Sequence, residues 1–467
     1  MAGLKEMNLK RFSREPFWIA LAFVGALSLA IAAGVFVSGI TGIIIAVAPV
    51  ALLLVLLCVL NPYPFWILYF AVVPFAYMVS ESLPTGSFVR FGGLIMVALS
   101  VPSILLSKRF PRFKVTALGG SILLFFAGCV LSLLAFFELK GAFRGVSLYF
   151  GNVMAYWVFV NIFATEKRLR TVLDVLIIVL AIEGIIAVVQ KIVSTPLLRA
   201  TGTLVDPNAF GFWLLPFLCF AFYFGLAARK RWQKLLYFGA YLVMTVAIPL
   251  TYSRSMILVL LPVQFILYWR QKKLHIFALV AAASIALLYL GFAKVFTYGF
   301  NIKSFLTAAR AASIEWRFYF AKTAVRMFID HPILGVGADC FYHKFRFYST
   351  ITPHIAKEVI HNSYLEILSG TGLVGFLPFL AVIFFSLKNL WLTRKHYTTQ
   401  GDRSRSLMTE GLIVGFIASL LAHLFLSTQH HILLWLAIAI ATIVANNSFR
   451  MLEARQGPEK GSSSPAH

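Results

Sequence analysis

Long apolar runs alternate with short polar breaks along almost the whole chain. From Phe17 onward the runs recur at about twenty residues each, enough for a helix to cross ~30 Å of hydrocarbon. Fourteen segments thread the sequence: 17–36, 40–60, 63–80, 91–106, 115–137, 146–164, 171–190, 207–228, 235–250, 255–269, 274–293, 363–387, 411–427 and 431–449. The pattern predicts an all-α fold, a polytopic membrane helix bundle of about fourteen transmembrane segments. Segments 235–250 and 255–269 are short and also read as a broken or re-entrant pair.

One long stretch interrupts the alternation and is expected to be a large extracytoplasmic loop, 294–362. Its middle, Ser304 to Asp330, reads helical. Trp316, Phe320, Ala324, Met327 and Phe328 recur at helical spacing, with Arg310, Arg317, Lys322 and Arg326 off that face. Such an amphipathic helix is expected to lie on the outer membrane surface. Asp330-His331-Pro332 ends it, and Gly335-Val336-Gly337 makes a turn. The chain thus divides into helices one to eleven (1–293), the loop (294–362), helices twelve to fourteen (363–449) and a disordered cytoplasmic tail (450–467).

Composition agrees. Apolar residues make up 60% of the 467 and charged residues 12%, against about 25% charged in an ordinary soluble domain. The net charge of +24 could suggest a nucleic-acid partner, but its placement excludes that reading. Lys and Arg cluster between apolar segments, as at Lys108-Arg109, Lys167-Arg168, Arg229-Lys230-Arg231 and Lys272-Lys273. With the N-terminus inside, inner loops and termini hold 26 of the 41 Lys and Arg, short outer loops 6 and the 294–362 stretch 9. This is the positive-inside bias of a multi-pass protein of the cytoplasmic membrane. The four cysteines form no metal-site spacing or disulfide framework.

Three outer features share one geometry. Arg199-Ala200-Thr201-Gly202-Thr203 leads into Asp206-Pro207-Asn208, an N-cap followed by Pro at the first helical position. Thr251-Tyr252-Ser253-Arg254-Ser255 opens the tenth segment, and His361-Asn362-Ser363 the twelfth, where Ser363 and Glu366 have capping-box spacing. Helix N-termini joined by arginines suit phosphate oxygens. A helix N-terminus also disfavours imidazolium, so His361 should stay neutral near pH 7 and able to accept a proton.

Plainer readings stand beside these. Arg199 and Arg254 also fit snorkelling anchors, Arg317 a charge on a wet helix face, and Glu366 a capping partner. Glu183, inside the seventh segment, fits a functional group or a hydrogen bond to a neighbouring helix equally well. The loop histidines lack His-x-x-x-His spacing, which argues against a metal, and no cofactor is expected.

At these residues the sequence resembles the O-antigen ligase and O-antigen polymerase family of bacterial envelope glycosyltransferases. The matching pieces are Arg199-x-x-Gly202-Thr203-x-x-x-Pro207-Asn208, Ser253-Arg254-Ser255, Arg317 with His331-Pro332-Ile333-Leu334-Gly335-Val336-Gly337, and His361-Asn362-x-Tyr364-Leu365-Glu366 with Gly372-x-x-Gly375. The resemblance implies an inverting, metal-independent transfer of a glycan from undecaprenyl diphosphate to an acceptor, another glycan or a lipid A core. It places the site on the extracytoplasmic side of the bacterial inner membrane. Carried over by motif, His361, Arg254 and Arg317 are the catalytic candidates; Arg199, Asn208, Asn362 and Tyr364 are the substrate-binding ones. The alternative from another class is a lipid-linked oligosaccharide flippase or other polysaccharide transporter. That function would call for midplane charges and internal repeats; no convincing repeat is present, and the polar outer residues cluster in loops rather than at helix centres.

Overall fold

The computed structural model describes residues 53–77, 85–106, 116–135, 139–193, 199–204, 206–297, 302–349 and 360–456. All regular structure among them is helical. Fifteen α-helices follow one another: α1 (Leu53–Leu60), then α2 (Tyr63–Val72), α3 (Thr85–Leu106), α4 (Ala117–Leu131), α5 (Leu139–Ile162), α6 (Glu166–Val193), α7 (Pro207–Ala227) and α8 (Arg231–Leu250). After these come α9 (Arg254–Arg270), α10 (Leu274–Thr297), α11 (Ile302–Asp330), α12 (Phe341–Tyr348), α13 (Ser363–Thr399), α14 (Arg403–Ala422) and α15 (Ile432–Gln456).

The all-α class holds, but the expected count of fourteen crossings does not emerge. Among the described residues eight helices are long and apolar enough to span a membrane, or nine if the broken pair Leu53–Leu60 and Tyr63–Phe75 is one span. Segment 17–36 and most of 40–60 lie outside the described residues. The expected segment 63–80 gives a ten-residue helix and a 3-10 turn, Val73–Tyr77. α9 has 17 residues, and α10, Leu274–Thr297, contains the expected segment 274–293. A run of apolar letters does not distinguish a full crossing from a shorter helix, because both need the same side chains. Within the 294–362 stretch, α10 ends at Thr297, the expected helix is α11 from Ile302, and the short α12 follows. At the other boundary, α15 carries on to Gln456, past the 449 expected from the apolar pattern.

The chain forms two compact units. The smaller comprises Met1–Trp66 and Ile95–Phe110; within it Trp66 Nε1 donates to Ser100 Oγ at 2.9 Å. The larger comprises Ile67–Leu94 and Pro111–His467 and carries every candidate residue. Its central helix is α7, where every residue from Phe210 to Gly225 is buried. A helix apolar on all faces must be surrounded, and α7 packs against α8 and most extensively against α14. Small residues set these approaches: Gly411 and Gly415 of α14 face Tyr223 and Phe220, leaving no room for a Cβ.

α13 departs from simple helix. Gly372 takes φ +58°, ψ −161°, kinking the element, and the Ile333–Gly337 turn fills the break. Leu373 N donates to Pro332 O at 2.8 Å and Val374 N to Ile333 O at 3.1 Å. In return Val336 N donates to Ser369 O and Gly337 N to Gly370 O, each at 2.9 Å. Backbone donors and acceptors freed by the kink are thereby satisfied. A Cβ on Gly372 would overlap the Ile333 carbonyl, and the backbone is already left-handed. Gly372→Ala should therefore destabilise the protein by at least ~1–3 kcal/mol, read as a lower Tm of the detergent-purified protein. An unchanged Tm would contradict this account of the kink.

The apolar face of α11 is covered by protein. Phe320, Ala324 and Met327 are buried with Val336, Phe341 and Ile360, and Trp316, Tyr319, Phe345, Tyr348 and Leu365 pack around them. The stripe expected to meet lipid instead forms a small core between α11, α12 and the start of α13.

Candidate functional site

The candidate residues converge at one end of the bundle, where α7, α9 and α13 begin. α7 starts as its sequence dictates. Asp206 is the N-cap, its Oδ1 accepting from Asn208 N at 2.8 Å and Asn208 Nδ2 at 3.1 Å, and Pro207 occupies the first turn. α9 is capped by Ser253, whose hydroxyl donates to Asn208 Oδ1 at 2.7 Å. The Asp206–Asn208–Ser253 chain thus ties two helix N-termini together. Asn208, expected to bind substrate, has its carbonyl committed to this tie.

α13 is capped by Asn362, not by Ser363 as the capping-box spacing suggested. Asn362 Oδ1 accepts from Tyr364 N and Leu365 N, both at 3.0 Å. The Ser363 hydroxyl is engaged elsewhere, donating to Leu426 O at 2.7 Å, and the buried Glu366 is not its capping partner. Tyr364 spends its hydroxyl on Leu420 O at 2.8 Å. Asn362 and Tyr364 therefore fix the start of α13, which carries His361 immediately before its cap.

His361 has φ +57°, in the left-handed region unusual for a residue with a side chain. Tyr252, beside Arg254, has φ +51°. Uncommon backbone at such positions is held by its surroundings. At His361 the neighbouring Ser363 N is anchored to His423 O at 2.9 Å and Leu426 O at 3.1 Å.

The basic groups act on one another. Arg317, on α11, donates from Nη1 to Ser255 Oγ at 3.1 Å. Burial pushes its guanidinium down from its ordinary value, Arg254 pushes it further, and Asp206 opposes. Arg199 donates from Nε to Thr251 O at 2.9 Å; burial lowers it, Asp206 raises it and Arg254 lowers it again. The half-buried His361 is held below the usual histidine value by burial first and by Arg317 second, with Asp206 opposing. The direction is the one expected from sequence, with burial and a guanidinium as its causes.

Arg254 stands apart. It lies exposed at the first turn of α9, and its guanidinium makes no hydrogen bond or ion pair among the described residues. Three guanidinium groups and one neutral-leaning imidazole therefore share an electrostatic field with a single carboxylate, Asp206. This arrangement suits an anion of more than one charge, with a base beside it.

Sequence reasoning assigned Asp206 only a capping role and gave no contact to Ser255; both belong to the cluster. The acidic residue was visible as the one carboxylate within the Arg199–Asn208 motif. The Ser255–Arg317 bond joins residues 62 apart and left no local signal. His430 Nε2 bonds Asp339 Oδ1 at 3.1 Å, and among the described residues no group of three His, Cys, Asp or Glu could hold an ion.

Residues 239–380 match the family model described as O-Antigen ligase. Over that segment the resemblance drawn from the motifs is matched by the family model, in a chain whose described helices include several long and apolar enough to cross a membrane. The segment includes Arg254, Arg317 and His361, and leaves Arg199 and Asn208 before it. Among curated proteins, the chain is 30% identical over 139 residues to the teichuronic acid biosynthesis protein TuaE of Bacillus subtilis (strain 168). That match covers 30% of this chain and 27% of TuaE, so the chain spans about a quarter of the relative's length in the alignment.

Proposed function

We propose that this protein transfers a glycan from undecaprenyl diphosphate to an acceptor sugar at the extracytoplasmic face of the bacterial inner membrane. The observation that carries the reading is the gathering of Arg199, Arg254 and Arg317 with a half-buried His361 where α7, α9 and α13 begin. In the step proposed, the acceptor hydroxyl oxygen attacks the anomeric carbon while the bond to the diphosphate oxygen breaks. Its proton passes to His361, and the departing diphosphate gains a charge that the arginines stabilise. A diphosphate is already a good leaving group, so cations and a base are the main requirements. Attack opposite the leaving group gives inversion, and no metal ion enters the step. The match to the O-Antigen ligase family model and the likeness to a teichuronic acid biosynthesis protein support this class of substrate.

The direct test incubates purified protein in detergent with lipid-linked glycan and candidate acceptors, with and without chelator. Formation of acceptor-linked glycan, unaffected by chelator, is expected. Absence of transfer, together with movement of the lipid-linked glycan across proteoliposomes, would replace this reading with transport.

Sidedness has its own test. The opposite end of the bundle carries Arg168, Arg229, Lys230, Arg231, Lys272 and Lys273, the bias of a cytoplasmic face. All four native cysteines are buried, so an introduced thiol at an exposed site will dominate labelling. Arg254→Cys should react with an impermeant maleimide on intact spheroplasts, whereas Arg229→Cys should react only after lysis. The reverse pattern would put the site on the wrong side for an extracytoplasmic transferase.

A further inference from the structure

Proton counting at one buried contact gives the state of Glu183, a residue the transfer step does not use. Glu183 lies within α6 and is fully buried. Its Oε2 accepts from Thr203 N at 2.8 Å, and its Oε1 lies within hydrogen-bonding distance of Thr203 Oγ1. The same Thr203 Oγ1 is 2.8 Å from Pro74 O. Three oxygens thus meet in two short contacts, and each contact requires its own proton.

Thr203 has one hydroxyl proton. Pro74 O is a carbonyl and can only accept, so the threonine proton belongs to that contact. The proton between Glu183 Oε1 and Thr203 Oγ1 must then come from Glu183. Its other oxygen, receiving Thr203 N–H, behaves as the carbonyl of the same acid. A carboxylate would instead leave one pair of oxygens facing each other without hydrogen. Burial without an ion-pair partner among the described residues works in the same direction, since an unpaired buried carboxylate is far costlier than a neutral acid.

We propose that Glu183 is a neutral carboxylic acid, donating to Thr203, and that it is a positioning residue for the segment carrying Arg199. The inference rests on the diphosphate-transfer reading for its functional half only. Gln190, two helical turns further along α6, holds the same segment. Its Nε2 donates to Gly202 O and its Oε1 accepts from Thr201 N. Gly202 is left-handed at φ +60°, and any Cβ there would run into Glu183 Oε2. On the far side Ala200 N donates to Leu250 O and Arg199 Nε to Thr251 O. One face of α6 therefore sets the shape of residues 200–203, and that shape delivers Arg199 to the end of α8.

Glutamine reproduces the neutral acid: its N–H can donate to Thr203 Oγ1 and its carbonyl can accept from Thr203 N. Glu183→Gln should keep the KM for the lipid-linked donor within about threefold of the wild type, with an unchanged pH profile. Glu183→Ala and the shorter Glu183→Asp should raise that KM by about tenfold or more while changing kcat less, as loss of a buried hydrogen-bond pair implies. If Glu183→Ala does not fold, Thr203→Val removes the same bond from its other side and should show the same rise. Infrared difference spectra between wild type and Glu183→Gln at neutral pH should contain the C=O band of a protonated carboxyl in the wild type alone. Absence of that band, or a glutamine variant as impaired as the alanine one, overturns the proposal. A wild-type protein that transfers nothing overturns the transferase reading, while the infrared band still decides the state of Glu183.

Discussion

His361→Ala should lower glycan transfer by about 10²–10⁴-fold, the usual contribution of a positioned general base, while the protein still inserts and purifies normally. The pH dependence supplies an independent check. Burial and Arg317 hold the His361 imidazole below the ordinary histidine value, so the ring stays neutral to a lower pH than a free histidine with its pKa of about 6.5. Activity that needs the neutral ring is then present above the lowered value and is lost as pH falls through it. The acid limb of the wild-type rate profile should accordingly lie below pH ~6.5. Arg317→Gln removes a charge that opposes imidazolium, so in that variant the limb should move to higher pH in addition to the rate falling. An acid limb that survives in His361→Ala at the same pH would remove the histidine from the base role.

The second large effect is expected at Arg254. Arg199 and Arg317 each spend an N–H on the protein, to Thr251 O and Ser255 Oγ, whereas Arg254 has its whole fork available among the described residues. Stabilisation of charge that develops on the leaving group acts on the transition state more than on the bound donor. Arg254→Ala should therefore lose about 10²–10³ in kcat, the scale for removing one such donor. Arg254→Lys should recover only part of that loss, because a point charge cannot contact two oxygens as the planar guanidinium does. Steady-state rates on lipid-linked glycan decide it. A fall confined to KM, with kcat intact, would make Arg254 a donor anchor without a part in the bond-breaking step.

These expectations began with features legible in the chain itself. The apolar periodicity, the clustering of basic residues and the cap at Asp206 are local properties. They follow from helix geometry, hydrocarbon thickness and the needs of unpaired backbone N–H groups, so the letters suffice. The same holds for α11, whose predicted span from Ser304 to Asp330 lies within the observed Ile302–Asp330. Arg254, Arg317 and His361 could be singled out as candidates because each sits in a short motif beside a helix start or on a predicted helix.

What each of those side chains touches was decided only by the tertiary structure. The stripe on α11 could be read as apolar, but not that α12 and Ile360, rather than lipid, would cover it. Asn362 displaced Ser363 as the cap because the serine hydroxyl is drawn to Leu426, a partner 63 residues away that local spacing cannot reveal. The same limit applies to Gly372 and Glu183. A left-handed glycine and a buried carboxyl are both fixed by groups distant in sequence, and the energy of such contacts depends on their meeting in space.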